Sequence, residues 1–412
     1  MQRKILAQAT RMLAGRLDEL AGVTDDPKVI TRTFLSPAMG RANLLVGAWM
    51  KAAGLAVRED PVGNLVGRRE GPARAKTLLL GSHLDTVRDA GRFDGPLGVL
   101  LPLSALEVLR AAGAELPFAV EVVGFSEEEG VRFSSAYIGS KGFTGRLARA
   151  DLGQSDPDGI TVGQVLAQRT GGNFALPRAA HRPADLLGYV EVHIEQGPVL
   201  EAEGLAAGVV SAIAGQTRAK VVFTGKAGHA GTTPMALRRD ALAAAAEFVL
   251  AAERLAQGKG PLVATVGRIV AQPGAANVIP GRAELTLDVR HPSDRRRRAA
   301  FARILAAGRA IARRRRVRFS AEVSQDNGAA ACSKEFTALL TRSVRAVQGR
   351  SLTLPSGAGH DGVVLAAVTP VAMLFVRCRG GLSHHPDEYV RPRDLGVALQ
   401  IMVDFLGRLA AR

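Results

Sequence analysis

Cysteine is nearly absent. The 412 residues contain two, Cys332 and Cys378, so neither a disulfide framework nor a cysteine-built zinc site is expected, and the composition suits a reducing cytosol. Aromatic side chains make up 4% of the chain, which leaves few rings for stacking on nucleic-acid bases. Long apolar runs are missing too. The most apolar stretch, residues 241–252, is broken by Glu247 and falls short of the roughly 18 residues that argue for a membrane span. The opening segment MQRKILAQATRMLAGR is interrupted by Gln8 and Arg11, so no secretory signal is expected there. Acidic residues are in deficit, 38 against 54 basic ones, for a formal net charge of +16. That balance admits a nucleic-acid partner. The scarcity of rings argues against one, and the basic residues are mostly arginines spread along the chain. Two arginine runs, at residues 295–298 and 313–316, fall in or beside a predicted helix and read as a solvated face.

What is present is ample globular chain. At about 100–200 residues per domain the length accommodates two or three domains. A hydrophobic fraction of 47% with 22% charged residues excludes general disorder. Residues 41–52 have helical spacing, and Gly54 stops them. Apolar runs at 77–80, 118–125 and 189–194 read as buried strands, with a helix at about 98–112. Strand alternating with helix predicts an α/β sheet of parallel strands. The pattern changes near residue 212. Strand 219–223, helix 236–255, strands 262–270 and 283–290, helix 294–313 and strand 317–323 follow in β-α-β-β-α-β order, the ferredoxin-like arrangement. The first pattern resumes with helix 334–348, strand 370–376 and a last helix from about 394 to 409. The expectation is one α/β domain, residues 1–212 and 326–412, interrupted by a small domain over 213–325.

Three of the eight histidines, with several carboxylates, lie at or just past the ends of apolar strands, where open α/β sheets bind ligands. In GSHLDTVRDAGRFDGPLG, His83 and Asp85 are two apart and share a strand face. Asp94 follows in a glycine-rich segment able to turn back. Imidazole and carboxylate are good ligands for zinc or manganese, and Asp85 can orient the histidine. The plainer reading is a capped polar turn. Glu127, Glu128 and Glu129 read either as an exposed acidic loop or as a metal ligand beside a proton acceptor. His193, in VEVHIEQGPVLE, is a core histidine or a ligand, and Glu191, Glu195 and Gln196 weaken the core reading. His360 and Asp361, in SGAGHDGV, form a supporting pair, a substrate contact or an Asx-type turn. His384 and His385, in GLSHHPDEYV, cannot both point one way in an extended segment. Farther back, KAGHAGTTPM carries His229, and Asn277 and Arg290 follow. Arg290 suits a carboxylate bidentately, and His229 or Asn277 suits an oxyanion. Against this stand a glycine-containing turn and ordinary strand charges.

In order along the chain, GSHLDTV with GRFDG, SEEEGVRF, HIEQGPVLE, GHAGTTPM with RRDA, NVIPG, SGAGHD and GLSHHPDEYV resemble the M20 metallopeptidase superfamily. More narrowly, they resemble its hydantoinase/carbamoylase branch of allantoate amidohydrolases, N-carbamoyl-L-amino acid hydrolases and β-ureidopropionases. The motifs cover residues from about 60 to 390. The resemblance implies a zinc-peptidase-like catalytic domain with a mixed sheet and an inserted ferredoxin-like lid and dimerisation domain. It implies two divalent ions per subunit, zinc, manganese or cobalt. By motif position His83 and His193 serve one ion, Asp94 bridges, and Glu129 and His384 serve the other. The pattern Ser-His-x-Pro-x-Glu selects His384 over His385. Glu128 takes the place of the general base, with Asp85 in support. Gln196, Gln216, His229, Asn277 and Arg290, and with them Gly359 and His360, match positions that touch substrate or its transition state.

The implied protein is a cytoplasmic homodimer with neither nucleic-acid nor membrane partner. It hydrolyses the ureido C–N bond of a small ureido acid. The segments IAGQTR and FSEEEGVRF place allantoate first, giving ureidoglycine, ammonia and carbon dioxide, ahead of N-carbamoyl-amino acids. A peptidase or aminoacylase on the same scaffold is the more distant alternative. The positive charge, which the family does not require, reads either as an attraction for anionic substrates or as the mark of an arginine-rich genome.

Overall fold

A computed structural model describes residues 2–258 and 260–412. The chain forms two compact units. The first runs to Ser211 and resumes over Ala331–Leu354 and Ala358–Arg412; the second comprises Ala212–Ala330 and Pro355–Gly357. The strands up to the boundary are β1 (Ala56–Glu59), β2 (Leu65–Arg69), β3 (Thr77–His83), β4 (Ala119–Phe125), β5 (Leu186–Ile194) and β6 (Ala207–Ile213). Those that follow are β7 (Gly215–Thr224), β8 (Gly228–His229), β9 (Val263–Gln272), β10 (Val278–Ile279), β11 (Arg282–His291) and β12 (Arg318–Asn327). After them come β13 (Ala330–Ala331), β14 (Thr353–Ser356) and β15 (Val371–Val376).

The first unit is built on a nine-stranded sheet of order β1-β2-β4-β3-β5-β15-β6-β13, with β14 beside β6. Its centre is parallel: β3 pairs β4 and β5, and β15 pairs β5. These strands are buried along nearly their whole length because both faces are covered, which is why they read as continuous apolar runs. Leu78 and Leu80 join one core with Val190, Val192, Leu374 and helices Gln2–Ala21, Pro96–Ala111 and Pro392–Ala410. Leu79 points the other way, into a core with Val123, Phe125, Tyr189 and Leu365.

The expectation of parallel strands holds only for that centre. β2 runs antiparallel to β4, β1 to β2, and β6 to β15, so the sheet is mixed. The turn over residues 60–64 between β1 and β2 is too short for the crossover a parallel pair requires. β1, with the sequence AVRE and a largely exposed edge position, has no apolar run to announce it.

The second unit has a four-stranded antiparallel sheet of order β12-β7-β11-β9. Helices Ala241–Ala256 and Asp294–Arg315 cover one face, burying Ala244, Phe248, Ile304 and Ile311 against Val221, Phe223, Leu285 and Leu287. The first helix begins at Ala241, later than the expected residue 236, because the Asp240 carboxylate accepts the N–H groups of Leu242 and Ala243 and caps it there. One arginine departs from the solvated-face reading. Arg295, Arg296 and Arg298 are exposed, but Arg297 is fully buried. It faces the sheet, bonded to Thr217 and paired with Asp294 and Asp326. Among the described residues no helix is long and apolar enough to cross a membrane.

Candidate metal centre

The carboxyl ends of the central parallel strands carry the polar residues. His83 is the last residue of β3, and the β3–β4 register sets it opposite Phe125, the last of β4. Glu127, Glu128 and Glu129 therefore emerge beside it. β5 pairs β3 on the other side, and His193 lies near its end, its ring centroid 5.8 Å from that of His83. Asp94 comes from the turn between β3 and helix Pro96–Ala111. That turn needs glycine at its close. Gly95 has φ +84, and an added Cβ would lie 2.4 Å from His83 Cε1. His384 enters from the segment after β15, itself in the left-handed region with φ 56.

The two oxygens of Asp94 divide the histidines. Oδ1 lies 3.1 Å from His193 Nε2 and 3.6 Å from His83 Nε2. Oδ2 lies 3.3 Å from His384 Nε2, which is also 3.3 Å from Glu129 Oε1. His83, Asp94 and His193 thus offer three ligand atoms within 4.8 Å of one another, as do Asp94, Glu129 and His384, and as do His83, Glu128 and Glu129. All but His384, Glu129 and Glu128 are almost completely buried, and Glu128 is 8% exposed.

These donors fit a cation. His83 Nδ1 lies 2.9 Å from the Asp85 carbonyl, and His193 Nδ1 lies 2.9 Å from the Ile194 carbonyl. Donation there leaves each neutral ring's Nε2 with a lone pair facing a carboxylate. His193 Nε2 and Asp94 Oδ1 are both buried and, among the described residues, find no aligned hydrogen-bond partner. Lone pairs turned on one another in this way call for positive charge between them. The electrostatics agree. Burial opposes a charge on His83, but Asp94, Asp85, Glu128 and Glu129 outweigh it and hold the imidazole well above its ordinary range. Burial likewise opposes charge on Asp94, and the surrounding imidazoles hold it well below. Burial, then Glu129 and Asp361, push Glu128 well above the usual carboxylate range. His384 is raised to about 10 by Asp94 and Glu129.

The supporting residues take definite places. Asp85 accepts the N–H groups of Glu128 and Glu129 at 3.0 and 3.1 Å, while its carboxylate stands 3.6 Å from His83 Nδ1. Gln196, with φ 56, donates to Asp94 Oδ2 at 2.9 Å and to Ser383 at 3.1 Å. His360 is buried with its ring 4.5 Å from that of His193. Gly359 packs on Tyr137, whose hydroxyl would lie 2.0 Å from an added Cβ. His385 stays exposed, 3.7 Å from Asp387.

The remaining candidates belong to the second unit and form two groups there. The β8–β10 ladder sets His229 opposite Val278, and Ala230 N–H donates to the Asn277 carbonyl. The β7–β11 ladder sets Gln216 opposite Arg290. Both of those side chains bond Asp288, Gln216 at 2.6 Å and Arg290 through Nε and Nη2 at 3.0 and 3.1 Å.

No role was assigned from the sequence to Asp288, Tyr137, Ser383 or Glu388, although Ser383 and Glu388 bound the Ser-His-x-Pro-x-Glu pattern. Asp288 and Glu388 were signalled by their neighbourhood, two residues before Arg290 and four after His384. Nothing local signals Tyr137.

The sequence signature of peptidase family M20/M25/M40 matches residues 79–408. A probable allantoate deiminase of Oryza sativa subsp. japonica is 42% identical, over all of this chain and 90% of its own length. An N-carbamoyl-L-amino acid amidohydrolase of Geobacillus stearothermophilus is 40% identical, over 96% of this chain and 97% of its own. The crystal structure of a hydantoinase/carbamoylase family amidase from Burkholderia multivorans superposes with a TM-score of 0.90 at 34% identity, covering 98% of each chain.

Proposed function

The chain belongs to peptidase family M20/M25/M40, and from that premise we propose that it is a metal-dependent amidohydrolase of small ureido acids. The first substrate is allantoate, cleaved at a ureido C–N bond to ureidoglycine, ammonia and carbon dioxide. The relative named as an allantoate deiminase, 42% identical, supports that order. A second reading is hydrolysis of N-carbamoyl-L-amino acids, favoured by the relative at 40% identity named for that substrate, or of the related β-ureidopropionate.

The observation that carries the proposal is the division of Asp94 between two histidine sets, with Oδ1 toward His83 and His193 and Oδ2 toward His384. His83, His193 and Asp94 would hold one divalent ion, and Asp94, Glu129 and His384 a second, drawn from zinc, manganese or cobalt. When bound, such ions supply Lewis acidity that makes water a competent nucleophile near neutral pH. Glu128 accepts the proton of the attacking water and returns it to the leaving nitrogen. Asp85 fixes the Glu128 and Glu129 backbone by accepting both N–H groups. Gln196, Gly359 and His360 take part in holding substrate. The second unit serves as lid and dimerisation domain of a homodimer. In it, Arg290 and Gln216 take the substrate carboxylate, and His229 and Asn277 the developing oxyanion, a role worth about 10²–10³ in rate per donor. The enzyme works in the cytoplasm, where its two buried free thiols stay reduced.

The test is one panel: allantoate, several N-carbamoyl-L-amino acids, β-ureidopropionate, dipeptides and acyl-amino acids, each with zinc, manganese and cobalt. Turnover of ureido acids that collapses in Glu128→Gln supports the assignment. Hydrolysis confined to dipeptides or acyl-amino acids, or unchanged rates in Glu128→Gln, rejects it.

A further inference from the structure

Asp94 is gripped from three directions by one short stretch of chain. Ser383 donates its hydroxyl to Asp94 Oδ2, and the His384 ring approaches the same oxygen at 3.3 Å. Four residues on, the Glu388 carboxylate reaches the backbone: its Oε1 accepts the N–H of Phe93 at 2.8 Å and that of Asp94 at 3.0 Å. Glu388 is 1% exposed. Its carboxyl is pressed against Gly91, where an added Cβ would lie 2.3 Å from the carboxyl carbon. The turn that carries Asp94 is therefore closed on a carboxylate brought from nearly 300 residues away, with 294 and 295 positions between the bonded pairs.

We propose that Glu388 is a positioning residue for Asp94. It holds the backbone of residues 93 and 94 so that the Asp94 carboxylate stands between the two histidine sets. The inference rests on the reading of Asp94 as a ligand shared by two divalent ions. It extends that reading to a residue that touches no proposed ligand atom. The physical reason is the cost of letting a ligand wander. The turn is rich in glycine, with Gly91 and Gly95 flanking the carboxylate, and such a backbone has more conformations to lose than any other. Two hydrogen bonds to a buried acceptor restrict it. Partners that orient a ligand in this way typically account for 10–100-fold in metal affinity. One oxygen does the work, since Oε2 finds no hydrogen-bond partner among the described residues. An amide oxygen in the same place serves equally well.

The experiment compares wild type, Glu388→Gln, Glu388→Asp and Glu388→Ala as full chains stripped with chelator. Manganese and zinc affinities are measured by calorimetric titration, and unfolding midpoints are recorded without metal. Gln keeps an acceptor at the correct reach and should bind metal within about threefold of wild type. Asp keeps the charge but withdraws it by one methylene, and should weaken binding about 10–100-fold, as should Ala. If Ala does not fold, the contrast between Gln and Asp decides. Metal affinities unchanged in Asp and Ala, with only a lower metal-free midpoint, would show Glu388 to be merely structural and overturn this inference alone. Weak binding in Gln equal to that in Asp would show that charge, not position, matters, and would overturn it too. A wild-type chain that binds neither metal rejects the hydrolase reading itself and this inference with it.

Discussion

Replacing Gly95 by alanine tests how the His83 ring is held. At φ +84 an L side chain is strained, and a Cβ there would lie 2.4 Å from His83 Cε1, 2.5 Å from Nδ1 and 2.7 Å from the His83 carbonyl oxygen. Ordinary contact begins near 3.4 Å, so the ring must retreat by about 1 Å (3.4 − 2.4) or the turn must open. Either motion alters the placing of His83 against Asp94, which stand 3.6 Å apart at Nε2 and Oδ1. Misplacing a reacting constellation by about 1 Å costs roughly 10²-fold in rate, equivalent to about 2.7 kcal/mol of barrier. The strained backbone removes a further 1–3 kcal/mol or so of stability. The assay is kcat/KM on the best ureido substrate, with metal content after dialysis and urea unfolding of the stripped chain. Gly95→Ala should fold, unfold at lower urea, retain less metal and lose about 10²-fold in kcat/KM. Gly40→Ala is the control. Gly40 is exposed within helix Pro37–Ala52 and has nothing within 4 Å of an added Cβ, so alanine there should add about 0.5–1 kcal/mol of stability. Wild-type metal content and kcat/KM in Gly95→Ala would refute the argument that this turn sets the ring.

Other perturbations test other parts. Burial alone raises the Asp288 carboxyl, but hydrogen bonds from Arg290, Arg218 and Gln216 outweigh it and hold it below the ordinary value. A depressed folded pKa contributes stability above the unfolded value that is lost as pH falls through the folded one. Asp288→Asn should therefore narrow the difference in urea midpoint between pH 6 and pH 3, and raise KM for carboxylate substrates more than it lowers kcat; an unchanged acid limb counts against it. Arg297→Leu leaves Asp294 and Asp326 without their buried partner. Removing one member of a buried pair costs about 3–5 kcal/mol, and because both aspartates are more than a third exposed the expected loss is nearer 2 kcal/mol, read by urea unfolding; a loss under half of that would mean the pairs contribute little. Burial pushes the thiols of Cys332 and Cys378 up to about 12 and about 11. Iodoacetamide at pH 8 should thus leave the folded chain unlabelled and modify both cysteines in urea; rapid native labelling would show that the surrounding core opens.

Several features were open to a reader of the chain alone. Apolar runs such as TLLLGSH and YVEVHI stop being apolar where both faces of a covered sheet end. His83, Glu127 to Glu129 and His193 were therefore placed at strand ends by local pattern. The alternation of the second unit, with Val221 and Phe223 inward and Lys220 outward, is equally local. The sheet's mixed direction was less legible, since β1 and β6 are set by which neighbour they pair rather than by their own composition. Arg297 looks like its neighbours in sequence and differs only in facing a sheet.

The order of the motifs and the chemistry of their side chains determined which groups were available to hold a metal, because donor type is a property of each residue. Which groups meet was decided by tertiary structure. Asp94 lies between two histidine sets, Glu388 closes its turn, and Asp288 joins Gln216 to Arg290. These are hydrogen bonds and ion contacts effective over about 3 Å, and the chain between the partners places no limit that short on their separation. The folded backbone brings them within reach.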